Sequence, residues 1–448
     1  MNKTLQMRHI RQRQADKHRV SLVLAFLCVL LVPILLPAIA ADALLGAEQE
    51  SPLFADSMSL ACEVSHKARR PAPIPEDWDF VILSTGDIMM HSPQTKAGWV
   101  PESKTYDFAF MFEKIAPILH TGDLVIGNLE TPLAGEANGG FTGYPMFNAP
   151  EKLARNLYEA GFTLVSTANN HSLDRRHQGL LTTLDHLDEA GLMHTGTYRS
   201  PDPGERILHF TVKGVRIAAI AATYGTNGLV LPQEFSYALQ YIEEGQLLAD
   251  ISRARAEGAR YVIVMLHWGV EYQHAPNKEQ ERLAHNLLHG GADLILGNHP
   301  HVLQRGEIVE IPGSGRSGFV MYSQGNLVSN QEGIDRLCSM LLRLTIGVDG
   351  GTGQPYLKEA GYIPIYTQKK DNRGISHHMV WPLEQAMEEL DGGGQAFRGE
   401  DRANIPKAWE LVLKSQPFLE PLSLRGLGIP DTTDGANPSL IPAGTMIE

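Results

Sequence analysis

Residues 292–302, ADLILGNHPHV, place two histidines directly after an apolar run that is typical of a buried strand. Pro300 separates them, and a proline neither continues a strand nor packs well between two imidazoles. One interpretation is a polar turn with incidental histidines. The other is a metal site at the mouth of a strand, for which distant segments of the chain must supply the remaining ligands.

Similar apolar runs alternate with helical segments along much of the chain. Strands are predicted at 79–87, 123–130, 162–171, 261–269, 293–301 and 318–326. Helices are predicted at 107–120, 149–160, 177–190, 237–257 and 277–290. A β-hairpin is predicted around Lys213-Gly214, and after residue 350 only one or two strands and a helix at 381–390 are predicted. This alternation predicts an α/β fold with one largely parallel central sheet.

Five of the predicted strands end in side chains suited to metal chemistry. These are Asp87, then Asn128 and Glu130, then Asn169, Asn170 and His171, then His267, then His299 and His301. One polar residue at a strand end is usually a turn former, but five such ends are hard to explain by turns alone. In open α/β sheets, sites gather at the carboxyl ends of the strands. Carboxylate, amide and imidazole ligands together favour a divalent metal.

The N-terminus predicts export. Residues 1–41 combine a basic lead with an apolar run, which is typical of a cleaved signal peptide or of an uncleaved membrane anchor. A linker is predicted at 42–77, the main domain at 78–370 and a C-terminal extension at 371–448. Residues 1–40 hold six Lys or Arg and one Asp, which leaves −18 for the rest of a chain whose net charge is −13. That acidic body argues against a nucleic-acid partner.

Six short blocks occur in a fixed order over residues 79–330. They are GDIMMH, GNLETPL, TANNHSLD, HWGVEY, GNHPHV and YSQGNLV. Together they resemble the signature of the CapA/PgsA family of poly-γ-glutamate capsule synthesis proteins, a branch of the calcineurin-like metallophosphoesterase superfamily. The resemblance implies an α/β-β/α sandwich with a metal site on one sheet edge. It also implies an extracytoplasmic domain, either tethered to the membrane through the N-terminus or secreted.

The resemblance also implies a set of metal ligands and a proton donor. The implied ligands are Asp87, Glu130, Asn170, His267, His299 and His301, and the implied proton donor is His171, held by Asp174. The first block departs from the superfamily's Asp-x-His pattern, because Asp87 is followed by Ile88 and Met89. Glu130 stands where the superfamily usually has an aspartate that bridges two metals. The implied cofactor is therefore one or two divalent ions of Mn, Zn, Fe or Mg.

Six further residues are predicted to contact substrate or to hold the ligands: His91, Asn128, Glu271, Arg305, Ser323 and Asn326. Glu271 is expected to pair with Arg305 or to accept a hydrogen bond from a ligand histidine. Asp174 has a second interpretation, as the cap of a helix that begins near Arg175. His91 is either a site residue or an ordinary loop histidine.

These features predict metal-assisted hydrolysis or transfer at a phosphoester or an amide, in the biosynthesis or export of a poly-γ-glutamate capsule. The expected partners are an anionic polymer or phosphoester substrate and the subunits of a membrane polymer-synthesis complex. Two alternatives stay open, because fold alone does not define function. One is a non-catalytic tethered subunit of such a complex, and the other is an extracytoplasmic phosphatase or nucleotidase.

Overall fold

The computed structural model describes residues 76–371 and 373–429. The predicted signal peptide or anchor lies outside these residues, and so do most of the predicted linker and the last part of the C-terminal extension. Among the described residues, no helix is both long enough and apolar enough to cross a bilayer.

The described residues form two large β-sheets. Sheet 1 has nine strands, seven of them in the order β16 (Ser376–Pro382), β15 (Pro355–Lys370), β14 (Cys338–Val348), β1 (Trp78–Ile88), β4 (Leu124–Leu129), β5 (Leu164–Ser166) and β6 (Met193–Thr195). Two short strands complete it: β13 (Asn326–Val328) pairs with β1, and β17 (Glu420–Pro421) pairs with β15. β1, β4, β5 and β6 are parallel to one another, whereas β14 is antiparallel to β1 and to β15, and β15 is antiparallel to β16. The short strands β13 and β17 are parallel to β1 and β15.

Sheet 2 has six strands in the order β11 (Gly306–Ile311), β12 (Arg316–Met321), β10 (Leu294–Asn298), β9 (Tyr261–His267), β8 (Val215–Thr223) and β7 (Leu208–Val212). Its four central strands are parallel, and an antiparallel strand closes each edge. β7 and β8 form the predicted hairpin, whose turn has positive φ angles of 45° at Lys213 and 80° at Gly214. A separate small hairpin joins β2 (Trp99–Val100) to β3 (Thr105–Tyr106).

The two sheets share one hydrophobic core. Successive side chains of a strand point to opposite faces, and β9 shows the result: Ile263 and Met265 belong to the cluster shared with sheet 1, whereas Val262 and Val264 face the other way. In sheet 1, Ile82 of β1 lies in the shared cluster. A strand such as β9 is apolar on both faces. Each sheet is therefore covered by the other sheet on one face and by helices on the opposite face.

Helices cover the outer faces of the sheets. Near sheet 1 lie α1 (Ser92–Ala97), α2 (Ala109–Phe112), α3 (Ala116–Leu119), α4 (Lys152–Ala160) and α5 (Arg176–Ala190). On the outer face of sheet 2, α6 (Glu244–Ala256) and α7 (Lys278–His289) contribute Leu247, Ile251, Leu283 and Leu287 to a separate cluster. Helix, sheet, sheet and helix thus form four layers, and the predicted α/β class is confirmed.

Three predictions about the elements are corrected. There are two sheets, as the resemblance to an α/β-β/α sandwich implies, rather than the single sheet that strand periodicity alone indicates. The helix predicted at 107–120 is two short helices, α2 and α3. The helix predicted at 237–257 begins only at Glu244, since Gln240 and Ile242 exchange backbone hydrogen bonds with Thr223 at the end of β8.

Residues 371–429 pack onto the main domain. β16 pairs with β15 along the edge of sheet 1. After β16 in the chain come α9 (Leu383–Asp391) and α10 (Glu400–Ser415), whereas α8 (Ile334–Leu337) directly precedes β14. Leu383, Ile405 and Val412 of the last two helices are fully buried in the shared core. The boundary predicted at residue 370 therefore does not separate two bodies.

Candidate metal centre

The register of the parallel strands brings polar residues of each sheet together at one edge. In sheet 1, Asp87 on β1 lies directly beside Asn128 on β4. In sheet 2, His267 at the end of β9 lies directly beside Asn298 at the end of β10. Parallel strands present their carboxyl ends at the same edge. The side chains that follow these strands therefore meet where the two sheets face each other.

Asp87 of sheet 1 contacts the loop that follows β10 of sheet 2 through polar atoms. Its Oδ1 accepts a hydrogen bond from Asn128 Nδ2 at 2.8 Å. Its Oδ2 lies 3.0 Å from His301 Nδ1 and accepts a longer bond of 3.4 Å from the His299 N–H. Asn326 Oδ1 also lies 3.1 Å from His301 Nδ1. Because both partners of that nitrogen are acceptors, Nδ1 carries the proton and the Nε2 lone pair of His301 is free for coordination.

Glu130 lies at the centre of the cluster. It is fully buried, and neither carboxylate oxygen has a hydrogen-bond partner among the described residues. Oε1 is 3.7 Å from His267 Nε2 and 3.8 Å from His301 Nε2. Glu130 belongs to two groups of ligand atoms that lie within 4.8 Å of one another: one with His299 and His301, the other with Asp87 and His267.

The electrostatics of this cluster favour a bound cation. Burial, and then the neighbouring Asp87 carboxylate, raise the pKa of Glu130 well above its usual range. Burial, and then the other imidazoles, lower the pKa of His267 well below its usual range and lower the pKa of His299 to about 3. The imidazoles of His267 and His299 are thus neutral, as coordination requires, and they do not balance a charged Glu130.

The residues present fit a divalent metal. A buried polar group without a partner is costly, so each such group needs an explanation. Four such atoms face the cluster: both oxygens of Glu130, Asn128 Oδ1 and His299 Nδ1. Together with Asp87 they form a mixed set of oxygen and nitrogen donors, which suits Zn, Mn or Fe. One cation would satisfy several of these atoms at once.

Asn128 and Asn170 hold His267 from both sides. Asn128 Nδ2 donates to His267 Nδ1 at 3.2 Å, and His267 Nε2 lies 2.8 Å from Asn170 Oδ1. Asn128 thus connects Asp87 to His267. Asn170 in turn donates to Asn227 Oδ1 at 3.3 Å, which connects the cluster to the loop after β8.

His171 and Asp174 form a buried pair beside the cluster. His171 Nδ1 lies 2.8 Å from Asp174 Oδ2, which also accepts a 2.7 Å bond from the Phe147 N–H. The alternative interpretation of Asp174 as a helix cap is wrong, since α5 begins at Arg176 and its N-cap residue Arg175 has no capping side-chain bond. A carboxylate on Nδ1 fixes the ring and directs Nε2 of His171 outward.

The backbone leaves the sheet at the two histidines that follow β10. β10 ends at Asn298, and the φ angles are +99° at His299 and +59° at His301. Such angles cost about 1–3 kcal/mol at a residue other than glycine, and they cluster at functional sites. The two rings consequently approach Glu130 and Tyr224 from different directions, with centroids 5.8 Å apart.

The remaining predicted residues divide into neighbours of the cluster and others. Asn326 holds His301, as described above. Ser323 Oγ donates to the Val302 carbonyl at 2.8 Å, which is a structural contact. His91 accepts a 3.3 Å bond at Nδ1 from the Asn330 N–H, and burial lowers its pKa to about 4. The charges of His301 and His171 also lower this pKa, and the His91 ring lies 5.1 Å from the Phe147 ring.

The predicted pairing of Glu271 with Arg305 is wrong. Arg305 forms ion pairs of 3.0 Å with Glu281 and Glu307 and lies 4.9 Å above the Tyr322 ring. These partners are closer to it because they lie on α7 and β11. Glu271 is exposed, yet its charge is among those that raise the pKa of the buried Glu130.

Three aromatic residues next to the cluster are missed by sequence reasoning. The Phe147 ring lies 4.6 Å from His171, the Tyr224 ring 4.5 Å from His299, and the Tyr272 ring 6.1 Å from His301. Tyr272 stands inside the block HWGVEY, which was the available signal. Phe147 and Tyr224 come from loops whose course no periodic pattern specifies. Burial raises the pKa of Tyr224 to about 12.

A family model described as bacterial capsule synthesis protein PGA_cap matches residues 81–331, more than half of the chain. The chain belongs to this family. It is 31% identical over 272 residues to the capsule biosynthesis protein CapA of Bacillus anthracis, covering 59% of this chain and 63% of that protein. It is 33% identical over 263 residues to the PGA biosynthesis protein CapA of Bacillus subtilis (strain 168), covering 55% and 62%.

The matched region therefore spans less than two thirds of the length of these PGA_cap relatives. Among solved structures, the calcineurin-like phosphoesterase YfkN from Bacillus subtilis matches at 13% identity with a TM-score of 0.38, covering 75% of this chain and 98% of that chain. Because this TM-score is below 0.5, the fold is described from the sheet order of the chain itself. The family resemblance drawn from the six blocks is confirmed by the family match.

Proposed function

We propose that this protein is a metal-dependent hydrolase or transferase of the phosphoesterase type, acting in the biosynthesis or export of a poly-γ-glutamate capsule. The observation that carries the proposal is Glu130, a fully buried carboxylate with both oxygens unpartnered, shared by two groups of candidate ligands. A purely structural domain gains nothing from a buried, unpaired carboxylate. A cation site explains its position.

The polymer is proposed from the family and its relatives. Two curated relatives are named for capsule and PGA biosynthesis. Two proteins of Mycobacterium tuberculosis that are 25% identical over 178 residues carry the name probable polyglutamine synthesis accessory protein. A γ-linked glutamate polymer is consistent with these names, and a phosphoester is the second substrate class that such a centre can serve.

The metal would be held by Asp87, Glu130, Asn170, His267, His299 and His301. A divalent cation supplies positive charge that polarises a phosphoryl or carbonyl oxygen and lowers the pKa of a nearby water molecule. Asn128 and Asn326 keep two of these ligands in place through the hydrogen bonds to His267 and His301. Such support is needed because ligand orientation strongly affects metal affinity.

His171 is the proposed proton donor to the leaving group. Asp174 fixes the Nδ1 proton, so that a second proton can be held and released at Nε2. The Phe147 ring packs edge-on against this imidazole at 4.6 Å and shields one side from water. The leaving oxygen or nitrogen would then receive its proton from a ring whose orientation is already set.

We place the protein at the cell envelope, exported through its N-terminal segment and either anchored there or released. The basic and apolar N-terminal sequence and the capsule role of the relatives support this location. At the outer surface the protein could contact the subunits of a membrane polymer-synthesis complex.

The test uses the purified full-length chain. Metal content is measured first, followed by cleavage of γ-linked glutamate polymer and of small phosphoesters, with Glu130→Gln as the matched isosteric variant. We expect metal in the wild type, little in the variant, and polymer shortening only with metal. A metal-loaded protein that cleaves phosphoesters alone would indicate a phosphatase, and one without any turnover would indicate a non-catalytic subunit.

A further inference from the structure

A groove of about 780 Å³ lies between the β2–β3 hairpin, the loop after β4 and the helices α4 and α5. We call it the lateral groove and define it by Trp99, Tyr106, Glu136, Lys152 and His186. None of the described residues that line it is a candidate metal ligand. Its volume is in the range of ligand-binding clefts, which combine aromatic side chains with a few precisely placed polar groups.

An aromatic cluster lies along the lateral groove. The Tyr106 ring lies 5.1 Å from the Trp99 ring and 5.3 Å from the Phe141 ring, measured between centroids. It also stacks on the buried Phe108 ring at 6.0 Å. Trp99 is thus held in place by packed rings, yet 43% of its surface is exposed. The groove therefore offers a fixed indole on which an apolar face of a ligand can pack.

Charged side chains of both signs also line the lateral groove. Five of them form no ion pair and no side-chain hydrogen bond within the described part of the chain: Lys104, Glu136, Glu151, Lys152 and Glu189. The sixth, Arg155, pairs with Glu159 at 2.8 Å. With three cations and three acids, the groove has no surplus of either sign. A ligand of high net charge would therefore meet repulsion as well as attraction.

Two uncharged groups add hydrogen-bonding capacity to the lateral groove. Burial, and then the charges of Glu136 and Glu151, raise the pKa of Tyr106, so that the phenol keeps its proton and can donate. His186 Nδ1 donates to the Leu133 carbonyl at 2.7 Å, which leaves Nε2 as an acceptor. Donors and acceptors thus lie side by side, next to an exposed indole.

The loop after β4 is fixed before any ligand binds. Asn148 is fully buried, and its Nδ2 donates to the carbonyls of Gly135 and Gly140 at 2.9 Å each. These bonds hold the loop on both sides of Glu136 and directly before Phe141. A preformed groove lowers the entropy cost of binding.

A neutral ligand rich in hydroxyl groups matches this combination. Sugar hydroxyls both donate and accept hydrogen bonds, and the C–H faces of a sugar ring pack on an aromatic ring. We propose that the lateral groove binds a neutral glycan segment, with a sugar ring packed on Trp99 and hydroxyl groups at Tyr106, His186 and the unpaired carboxylates and ammonium groups. This site adds glycan recognition to the protein and does not depend on the proposed function of the metal centre.

The experiment measures binding of three tetrasaccharides to the full-length protein by calorimetry: β-1,4-linked N-acetylglucosamine, β-1,4-linked glucose and α-1,4-linked glucose. We expect at least one to bind, with an affinity that changes less than about twofold between roughly 50 and 500 mM NaCl, because a neutral ligand has no charge to be screened. Trp99→Ala should weaken this binding by about tenfold, and Trp99→Tyr should recover most of the loss. Glu136→Gln should weaken it by about threefold, since an amide accepts a weaker hydrogen bond than a carboxylate. Metal content should be unchanged in all three variants.

Trp78→Ala is the matched control, because Trp78 is also an exposed tryptophan but lies on β1, where its indole N–H donates to the Lys213 carbonyl at 3.2 Å. It should bind as the wild type does. The proposal would be overturned if no tetrasaccharide bound at concentrations up to about 10 mM, or if Trp99→Ala bound as tightly as the wild type. Binding of tetralysine or tetraglutamate in place of the sugars would also overturn it and would identify the groove as a site for charged peptides.

Discussion

Nδ1 of His301 and Oδ2 of Asp87 lie 3.0 Å apart although 214 positions separate the two residues in the chain. One follows a strand of sheet 2 and the other lies on the central strand of sheet 1. Their contact places the candidate metal centre at the seam between the sheets. Ligands from both sides of that seam must be correctly folded for a cation to bind, so folding and metal binding should be coupled.

Chelation should reveal this coupling. We expect the wild type to lose roughly 5 °C in Tm on addition of EDTA, because a cation that binds only the folded state stabilises it. His301→Ala should show no such loss, since one ligand is gone. His285→Ala is the control: His285 is a partly exposed histidine of α7 that pairs with Glu307, and its variant should respond to EDTA as the wild type does. Equal responses of all three proteins would exclude His301 as a ligand.

The effect of Glu130→Gln on stability should change sign when metal is bound. A carboxyl group whose pKa is raised on folding stabilises the protein below its unfolded pKa and loses that contribution as pH rises through the folded pKa. In metal-free protein, Glu130→Gln should therefore gain stability over wild type as pH rises above 4.5, by up to about 1.4 kcal/mol per pH unit. With saturating Mn²⁺ the wild type should be the more stable.

Urea unfolding at several pH values, with and without Mn²⁺, measures both effects. The control is Glu257→Gln, at an exposed glutamate that ends α6 and pairs with His209. It should shift stability little in either condition. If Glu130→Gln were less stable than wild type in EDTA at pH 7, Glu130 would be paired by a group other than a metal.

Asp174→Asn should separate chemistry from metal binding. The substitution removes the charged acceptor of His171 Nδ1 and of the Phe147 N–H, which should cost about 1–3 kcal/mol of stability. Turnover should fall by roughly 10²–10⁴-fold, because the proton donor loses its orientation. Metal content should stay normal. Asp185→Asn is the control, because Asp185 is exposed and pairs with Arg199, and this variant should keep normal turnover. If Asp174→Asn lost metal and turnover in parallel, Asp174 would support the metal ligands instead.

At His301 the glycine variant should be at least as stable as the alanine variant, which reverses the order of stability usual in helices. Its φ of +59° costs alanine about 1–2 kcal/mol and costs glycine nothing. In EDTA, His301→Gly should therefore be as stable as His301→Ala or more stable by up to about 1 kcal/mol. In the helix α7, His285→Gly should instead be less stable than His285→Ala by about 1 kcal/mol. Urea midpoints of the four variants give the comparison, and the same order at both sites would show that His301 is unstrained.

The sequence predicts the strands of the site well, because each is a short apolar run that ends in a polar residue. β4, β9 and β10 lie within the predicted segments, and β1 extends one residue beyond its segment at each end. Strand periodicity does not predict β14, and it does not predict the division into two sheets, which only the family resemblance implies. Both depend on long-range pairing that local periodicity cannot express.

Within the candidate site, the histidines and acids were accessible from sequence, and Asn128 and Asn326 were expected to hold the ligands or to contact substrate. Their partners were not accessible, because the bonds of Asn128 to both Asp87 and His267 depend on the register between β1, β4 and the facing sheet. Phe147 and Tyr224 were missed for the same reason, since they lie on loops whose positions follow from tertiary contacts. Residue type indicates chemistry, but geometry requires the fold.

A cation held jointly by Asp87 and His301 would act as a reversible cross-link between two positions that are 214 residues apart. Tying two positions so far apart in the chain restricts the unfolded ensemble strongly, much as a disulfide does. A protein of this kind would unfold, and be degraded, fastest when the cation is scarce. Its abundance would then follow the supply of metal in the surroundings, independently of gene expression.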